Sequence, residues 1–205
     1  MNRNQELINY MIASNVLYSP LLIEAFHKCD RMFFVPERML GEVYSDYPLQ
    51  IGKGQTISQP TTVAIMLELL NPLPGQKILD IGSGSGWTTA LLATMVGKDG
   101  FIEGMERIPS LVEYGRRSLE KMHIKNASIS LASPDILGNL GHYYDRILVS
   151  ASAQKLPTTL LDQLKPKGVM VIPIGNSIWR ISKQEDGAID ASEFSGFIFV
   201  PLIVP

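Results

Sequence analysis

Three groups of residues have types and spacings that could do chemistry. The run Ile78-Leu79-Asp80-Ile81-Gly82-Ser83-Gly84-Ser85-Gly86 is an apolar strand that empties into a glycine-rich turn at a helix start. So little side chain lets a ligand approach the backbone closely and offers it unpaired N–H groups. Asp80 brings a carboxylate to the same place, and Glu106 stands 20 residues beyond Gly86, at the end of what reads as the next strand. An acid there can accept hydrogen bonds from both hydroxyls of a ribose. The third group, Thr56-Ile57-Ser58-Gln59, places hydroxyl and amide groups just before Pro60. Each has a plainer alternative: Asp80 as a strand-end turn former, Glu106 as a surface acid paired with Arg107, and Ser58 as the N-cap of the following helix.

Other chemistries find little support. A dinucleotide site would complete Gly-x-Gly-x-x-Gly with a glycine at position 87, where Trp87 stands and its bulk would crowd a pyrophosphate. His27, His123 and His142 lie on separate segments with no cysteine or carboxylate cluster to join them, so no metal site is expected. There is no Gly-x-Ser-x-Gly elbow, and no lysine follows the glycine turn as in a phosphate-binding loop. A formal net charge of −2, with 18 Lys and Arg against 20 Asp and Glu and no run of like charge, argues against nucleic acid as a partner. The single cysteine, Cys29, cannot form an internal disulfide, and the start Met-Asn-Arg-Asn-Gln-Glu leads into no apolar stretch like a signal peptide. A cytoplasmic, reducing setting is therefore expected, with no membrane span, because nowhere do about 18 apolar residues run together.

The elements that must position these residues are also legible. A chain of 205 residues, 45 % of them hydrophobic and 19 % charged, can fill one core, so one domain over 1–205 is expected, with a monomer as the default. From Gly75 onward, β-rich runs at 77–82, 100–106, 127–132, 145–151 and 168–174 alternate with helical segments at 86–97, 109–123 and 157–164. That rhythm predicts an α/β fold with a doubly wound, mostly parallel sheet. Ahead of it, 1–74 reads as an N-terminal helical extension and a substrate-side loop. Leu7, Ile8, Met11 and Ile12 mark a helix over 5–14. Ser19-Pro20 opens a second one to about Lys28, burying Leu22, Ile23, Phe26 and Cys29. Phe33-Phe34-Val35-Pro36 is expected to be extended. Residues 41–59 lose their period and collect Pro48, Gly52 and Gly54, which predicts a long ordered loop or lid rather than a core element. A helix then runs from Pro60 to near Asn71. At the other end, 178–181, a turn at Asp186-Gly187 and 197–200 predict a terminal antiparallel strand pair.

The spacing Gly82-x-Gly84-x-Gly86 resembles the cofactor turn of class I methyltransferases. The resemblance implies that Asp80 helps hold the amino acid portion of S-adenosylmethionine and that the backbone over 82–86, Ser83 included, packs against it. A longer run, Gly52-Lys53-Gly54-Gln55-Thr56-Ile57-Ser58-Gln59-Pro60, resembles the signature of protein-L-isoaspartate O-methyltransferases, and the likeness extends through Arg31 to Pro36, Glu106 to Pro109, Leu164 to Gly175 and Phe199-Val200-Pro201-Leu202. That family transfers a methyl group from S-adenosylmethionine to the free carboxylate of an L-isoaspartyl residue in damaged proteins or peptides. The resemblance implies that Ser58 orients the acceptor, with Thr56, Ile57, Gln59, Ser150 and Ala151 around it, and that Glu106 and Arg107 meet the cofactor. Family members place Gly-Asp-Gly after the third core strand; here the stretch reads Ala132-Ser133-Pro134-Asp135, so either Ser133 or Asp135 would meet the adenine. Ser150-Ala151-Ser152-Ala153-Gln154 replaces an alanine-rich run ending in proline. It leaves open a different peptide or small-molecule acceptor, or a homologue that only binds the cofactor.

Overall fold

Alternation of apolar side chains along short strands builds the centre of the molecule. In the computed structural model, which describes residues 3–203, β3 (Lys77–Ile81), β4 (Phe101–Glu106), β5 (Ala127–Leu131), β6 (Tyr144–Val149) and β7 (Leu164–Ile174) pair in parallel. β8 (Ser177–Lys183) and β9 (Ile189–Ser195) add antiparallel to β7, giving the order β5-β4-β3-β6-β7-β8-β9. Successive residues face opposite ways. Ile78, Ile102, Ile129, Leu148 and Val171 pack on one face, and Leu79, Met105, Ile147, Val149 and Met170 on the other. The chain leaves β3 toward β4 on one side and later enters β6 on the other, so the carboxyl ends of β3 and β6 flank the crevice where such sheets take ligands.

Helices cover the faces unevenly. α1 (Arg3–Ala13), α2 (Pro20–Lys28), α3 (Pro60–Leu70), α4 (Trp87–Val96) and α5 (Pro109–Lys121) all contribute to the first core. The second is closed by α6 (Thr158–Asp162), five residues rather than the eight predicted, together with irregular segments around Leu137, Leu156 and Leu202. No described helix is long and apolar enough to cross a membrane.

Three expectations about elements need correction. Residues Arg31–Phe34 form a 3-10 turn, because the Asp30 carboxylate accepts from the Met32 N–H (3.0 Å) and tightens the chain; of the segment expected to be extended, Val35 and Pro36 are. The segment 41–59 contains a hairpin, β1 (Leu49–Gly52) with β2 (Gln55–Ile57), and its Leu49, Ile51 and Ile57 are core residues. Gly52, Lys53 and Gly54, all at positive φ, make the turn that the loss of periodicity concealed. Finally, the strand after the Asp186-Gly187 turn is β9, not 197–200. Every residue of β9 is exposed, so it carries no burial pattern to read. The apolar residues 197–200 lie alongside the sheet instead, where the Ser152 N–H donates to Val200 O (2.8 Å) and the Leu202 N–H to Ser152 O (2.7 Å).

Candidate functional site

β3 delivers its glycines to the mouth of the crevice. Gly82, Gly84 and Gly86 all have positive φ (78°, 53° and 90°), which side chains rarely adopt. The N–H groups of Gly82 and Ser83 donate to Met105 O at 2.8 and 3.1 Å. Glu106, buried at the end of β4, holds the turn from the other side: its Oε2 accepts from the Gly84 N–H (3.1 Å) and its Oε1 from the Ile108 N–H (2.9 Å). Its partners are thus backbone groups rather than Arg107. Each carboxylate oxygen keeps acceptor capacity for a further donor.

Two cavities meet at this turn. The larger, about 340 Å³, takes Gly82 and Gly84 from the turn, Glu106 and Arg107 from the end of β4, Ala132, Ser133 and Pro134 from the end of β5, and Ser150 and Ala151 from the end of β6. Gln55 and Thr56 close one side and residues 200–203 another. The smaller, about 40 Å³, is lined by Ile57 and Ser58, by residues 82–85 and by Trp87 and Thr88; it shares Thr56, Gly82, Gly84 and Ser150 with the larger. Ser58 therefore sits across a narrow space from the glycine turn. A Cβ on Gly82 would stand 3.7 Å from Ser150 Cβ, so a side chain there would narrow the passage between the two strand ends.

Asp80 lies behind the turn and lines neither cavity. It is fully buried; its Oδ2 accepts from the hydroxyls of Thr88 (2.8 Å) and Thr89 (2.6 Å). Its Oδ1 and the Ser83 Oγ have no hydrogen-bond partner among the described residues. Burial pushes the Asp80 carboxyl up to about 6; the two threonine hydroxyls oppose this and the Glu106 charge adds to it. Unpaired buried oxygens are costly unless a donor completes them.

The segment carrying Ser58 is tied from two sides by residues the sequence did not single out for this role. Arg31, 1 % exposed, donates through Nη1 to Val43 O (2.8 Å) and Ser45 O (3.2 Å) and through Nη2 to Tyr47 O (3.2 Å) and Ser58 O (2.9 Å). Its guanidinium lies over the Trp87 ring, 5.4 Å from the centroid. Burial lowers the Arg31 pKa to about 10, with Asp46 and Tyr47 opposing, so it stays charged at neutral pH. Asp46 accepts from the Thr61 N–H (2.9 Å), the Thr61 hydroxyl (2.7 Å) and Gln59 Nε2 (3.1 Å), and so caps α3. Capping thus falls to Asp46, not Ser58, and Gln59 is the N-cap residue without a side-chain cap bond of its own.

Of the residues singled out in the sequence, Thr56, Gly82, Gly84, Glu106, Arg107, Ser133, Ser150 and Ala151 line the larger cavity, and Ile57, Ser58 and Ser83 the smaller. The others fall elsewhere. Gln59 is engaged by Asp46 and Thr62. Gly86 packs on α5: a Cβ there would meet Gly115 O and Ile129 Cδ1, each at 3.2 Å. Asp135 lines a neighbouring cavity of about 720 Å³, while its N–H donates to Ser133 Oγ (3.2 Å). Of the two candidates for the adenine contact, only Ser133 faces the cavity beside the turn. Trp87 is turned away from the larger cavity, its indole N–H on Cys29 O (3.0 Å).

A mostly parallel sheet with a Gly-x-Gly-x-Gly turn at its switch point and an acid closing the next strand defines a class I S-adenosylmethionine-dependent methyltransferase. A sequence model of the protein-L-isoaspartate(D-aspartate) O-methyltransferase (PCMT) family matches residues 2–204, and the chain belongs to that family. It is 42 % identical over 204 residues to a protein-L-isoaspartate O-methyltransferase of Methanopyrus kandleri, covering 97 % of this chain and 90 % of the relative. To the one of Pyrococcus horikoshii it is 40 % identical, covering 96 % and 90 %. A crystal structure assigned as a protein-L-isoaspartate O-methyltransferase of Plasmodium falciparum, in complex with S-adenosyl-L-homocysteine, superposes with a TM-score of 0.88 at 26 % identity, over 99 % of both chains.

The residues present fit that cofactor. Asp80 Oδ1 and Ser83 Oγ lack donors, the Glu106 oxygens can each accept again, and 340 Å³ lies within the roughly 300–1,000 Å³ of small-molecule sites.

Proposed function

We propose that this chain methylates the free carboxylate of L-isoaspartyl residues in damaged proteins and peptides, with Ser58 orienting the acceptor. The observation that carries the reading is the narrow space lined by Ser58 and residues 82–85, which shares Thr56, Gly82, Gly84 and Ser150 as walls with the larger cavity that Glu106 lines. Bound against the glycine turn, S-adenosylmethionine supplies an electrophilic methyl group on a positively charged sulfur. The chain's own task is then alignment. The free carboxylate of an L-isoaspartyl residue is an α-carboxyl, with a pKa of roughly 3.3–3.7, so at neutral pH it is already a nucleophile and needs no general base. Holding its oxygen in line, about 3–3.5 Å from the reacting carbon, can supply roughly 7–11 kcal/mol of the barrier. The Ser58 hydroxyl donates to the acceptor carboxylate, and Thr56 and Ser150 border both cavities. Charge is partly neutralised as the groups meet, so exclusion of water by Ile57, Trp87 and Ala151 favours the reaction.

On the cofactor side, Gly82, Ser83, Gly84, Glu106, Arg107 and Ser133 form the binding set, and Asp80 acts on it from behind the turn. The chain divides accordingly within one domain, 1–74 serving the acceptor and 75–205 the cofactor. A single cysteine, buried beside Thr94, supports a cytoplasmic, reducing setting.

The test is methyl transfer to an L-isoaspartyl peptide beside the same peptide carrying ordinary aspartate. Transfer to the first at least about a hundredfold faster is expected, since the two place the carboxylate one methylene apart along different backbones and alignment alone distinguishes them. Equal rates would remove the repair assignment while leaving a methyltransferase of another acceptor.

A further inference from the structure

Cationic side chains are gathered on one face of this acidic chain. A groove of about 560 Å³ lies between the tip of the β1–β2 hairpin and the face of α5 that runs from Ser110 to Lys121. Met32, Phe33 and Leu40 reach it, left 40, 41 and 36 % exposed by the two 3-10 turns, Arg31–Phe34 and Glu37–Glu42, that carry them. Lys53 stands at the hairpin tip, and Arg117 and Lys121 one turn apart on α5. Arg38 and Arg117 both act electrostatically on Tyr114, which also lines the groove. Glu37 is the only acid among its lining residues. None of these four cations takes part in an ion pair among the described residues, although the whole chain carries a net charge of −2. Unpaired cations around an apolar floor create a local field that attracts an acidic partner and sets its register.

The groove adjoins the reaction space. Ile51, Gly52 and Lys53 on one side of the hairpin line the groove, while Gln55 and Thr56 on the other line the larger cavity. The Cδ1 of Ile51 stands 3.2 Å from where a Cβ on Gly84 would be, so one side chain separates the groove from the glycine turn.

We propose that this groove docks an extended, acidic segment of the acceptor polypeptide, flanking the residue to be methylated and carrying apolar side chains. The inference rests on the acceptor being a polypeptide, as proposed above. Alternate residues of an extended chain point opposite ways, so apolar side chains can cover Met32, Phe33 and Leu40 while the acids between them reach the rim. A nucleic acid would satisfy the cations but leave that apolar surface without burial.

The test uses the full chain and its Arg117→Glu/Lys121→Glu variant. Both positions are exposed and neither borders the reaction space. The substrates are one short isoaspartyl peptide and two extensions of it at either end, by a tract of alternating acidic and apolar residues or by a Gly-Ser tract. The acidic tract is expected to raise kcat/KM by about tenfold over the Gly-Ser tract, through KM; the double variant or high salt should abolish the gain and leave the short peptide's rate unchanged. Equal kcat/KM for the two extensions, or a gain that survives charge reversal, overturns the proposal. A fluorescein-labelled acidic tract without isoaspartate keeps the outcomes separable. Its binding by anisotropy should weaken about tenfold in the double variant even if no isoaspartyl peptide is methylated, in which case the function fails and the groove stands. An oligonucleotide that binds this face more tightly than the tract also overturns it.

Discussion

Asp80 shows how one residue's environment makes a measurable prediction. Its carboxyl is raised by burial to about 6, above the unfolded value of about 3.9. The folded protein therefore holds this proton when the unfolded chain has lost it. The stabilisation is full below about pH 3.9, declines as pH rises through about 6, and is then gone, a difference of about 3 kcal/mol. A ligand ammonium or sulfonium nearby favours the ionised form, so affinity should run the opposite way. Calorimetric titration with S-adenosylhomocysteine should show binding about tenfold weaker at pH 5 than at pH 7.5. Asp80→Asn should bind more weakly and lose this dependence; a wild-type affinity independent of pH would contradict the assignment. At this scale the sequence was informative about proximity to the cavity where a residue's type and its place at a strand end coincide, as for Gly82, Gly84 and Glu106. It could not separate Asp135 from Ser133, because proximity to the cavity depends on how 132–138 turn in space. Asp46 gave no signal at all: its role as the cap of α3 is a contact across 15 positions to Thr61.

Elements position these residues through a few long-range ties. The hairpin and the start of α3 depend on Arg31, whose planar fork reaches four carbonyls at once. Lysine carries the charge but not the fork. In Arg31→Lys at least two of those carbonyls lose their donor, at a cost of about 2–4 kcal/mol, and Tm should fall by roughly 5–15 °C. Because one of them belongs to Ser58, KM for an isoaspartyl peptide should also rise, with affinity for S-adenosylhomocysteine unchanged within about twofold. A lower Tm with an unaltered KM would make Arg31 a stabilising residue only. The repeating βα elements were readable because burial imposes a period on them. The hairpin within 41–59 was not, since each strand is only three or four residues long and its turn glycines suggest a loop. β9 escaped for the opposite reason: exposure on all seven residues leaves no apolar face to detect.

For the molecule as a whole, the reaction space belongs to distant parts of the chain brought to the carboxyl ends of the parallel strands. Residues 55–58 close it on the acceptor side, 82–84 and 106–107 on the cofactor side, and 200–203 form a further wall held by Ser152. A chain ending after Phe199 keeps every strand and helix but loses that wall. Loss of Leu202 from the second core and of both Ser152 bonds should lower Tm, and in the folded fraction KM for the acceptor should rise by at least about tenfold; unchanged kinetics would show that 200–203 do not contact the acceptor. The fold class followed from the order of strands and helices, whereas this wall did not, because 197–200 read as a strand and only their packing beside Ser152 places the following residues.

The central claim is that the Ser58 hydroxyl and the glycine turn face the same acceptor, and methyl transfer by Ser58→Ala tests it most directly. Transfer to an isoaspartyl peptide should fall by about 10²-fold or more, the loss of one positioned donor, with thermal unfolding and S-adenosylhomocysteine affinity both preserved. Full activity in a variant that has merely become less stable would contradict the claim.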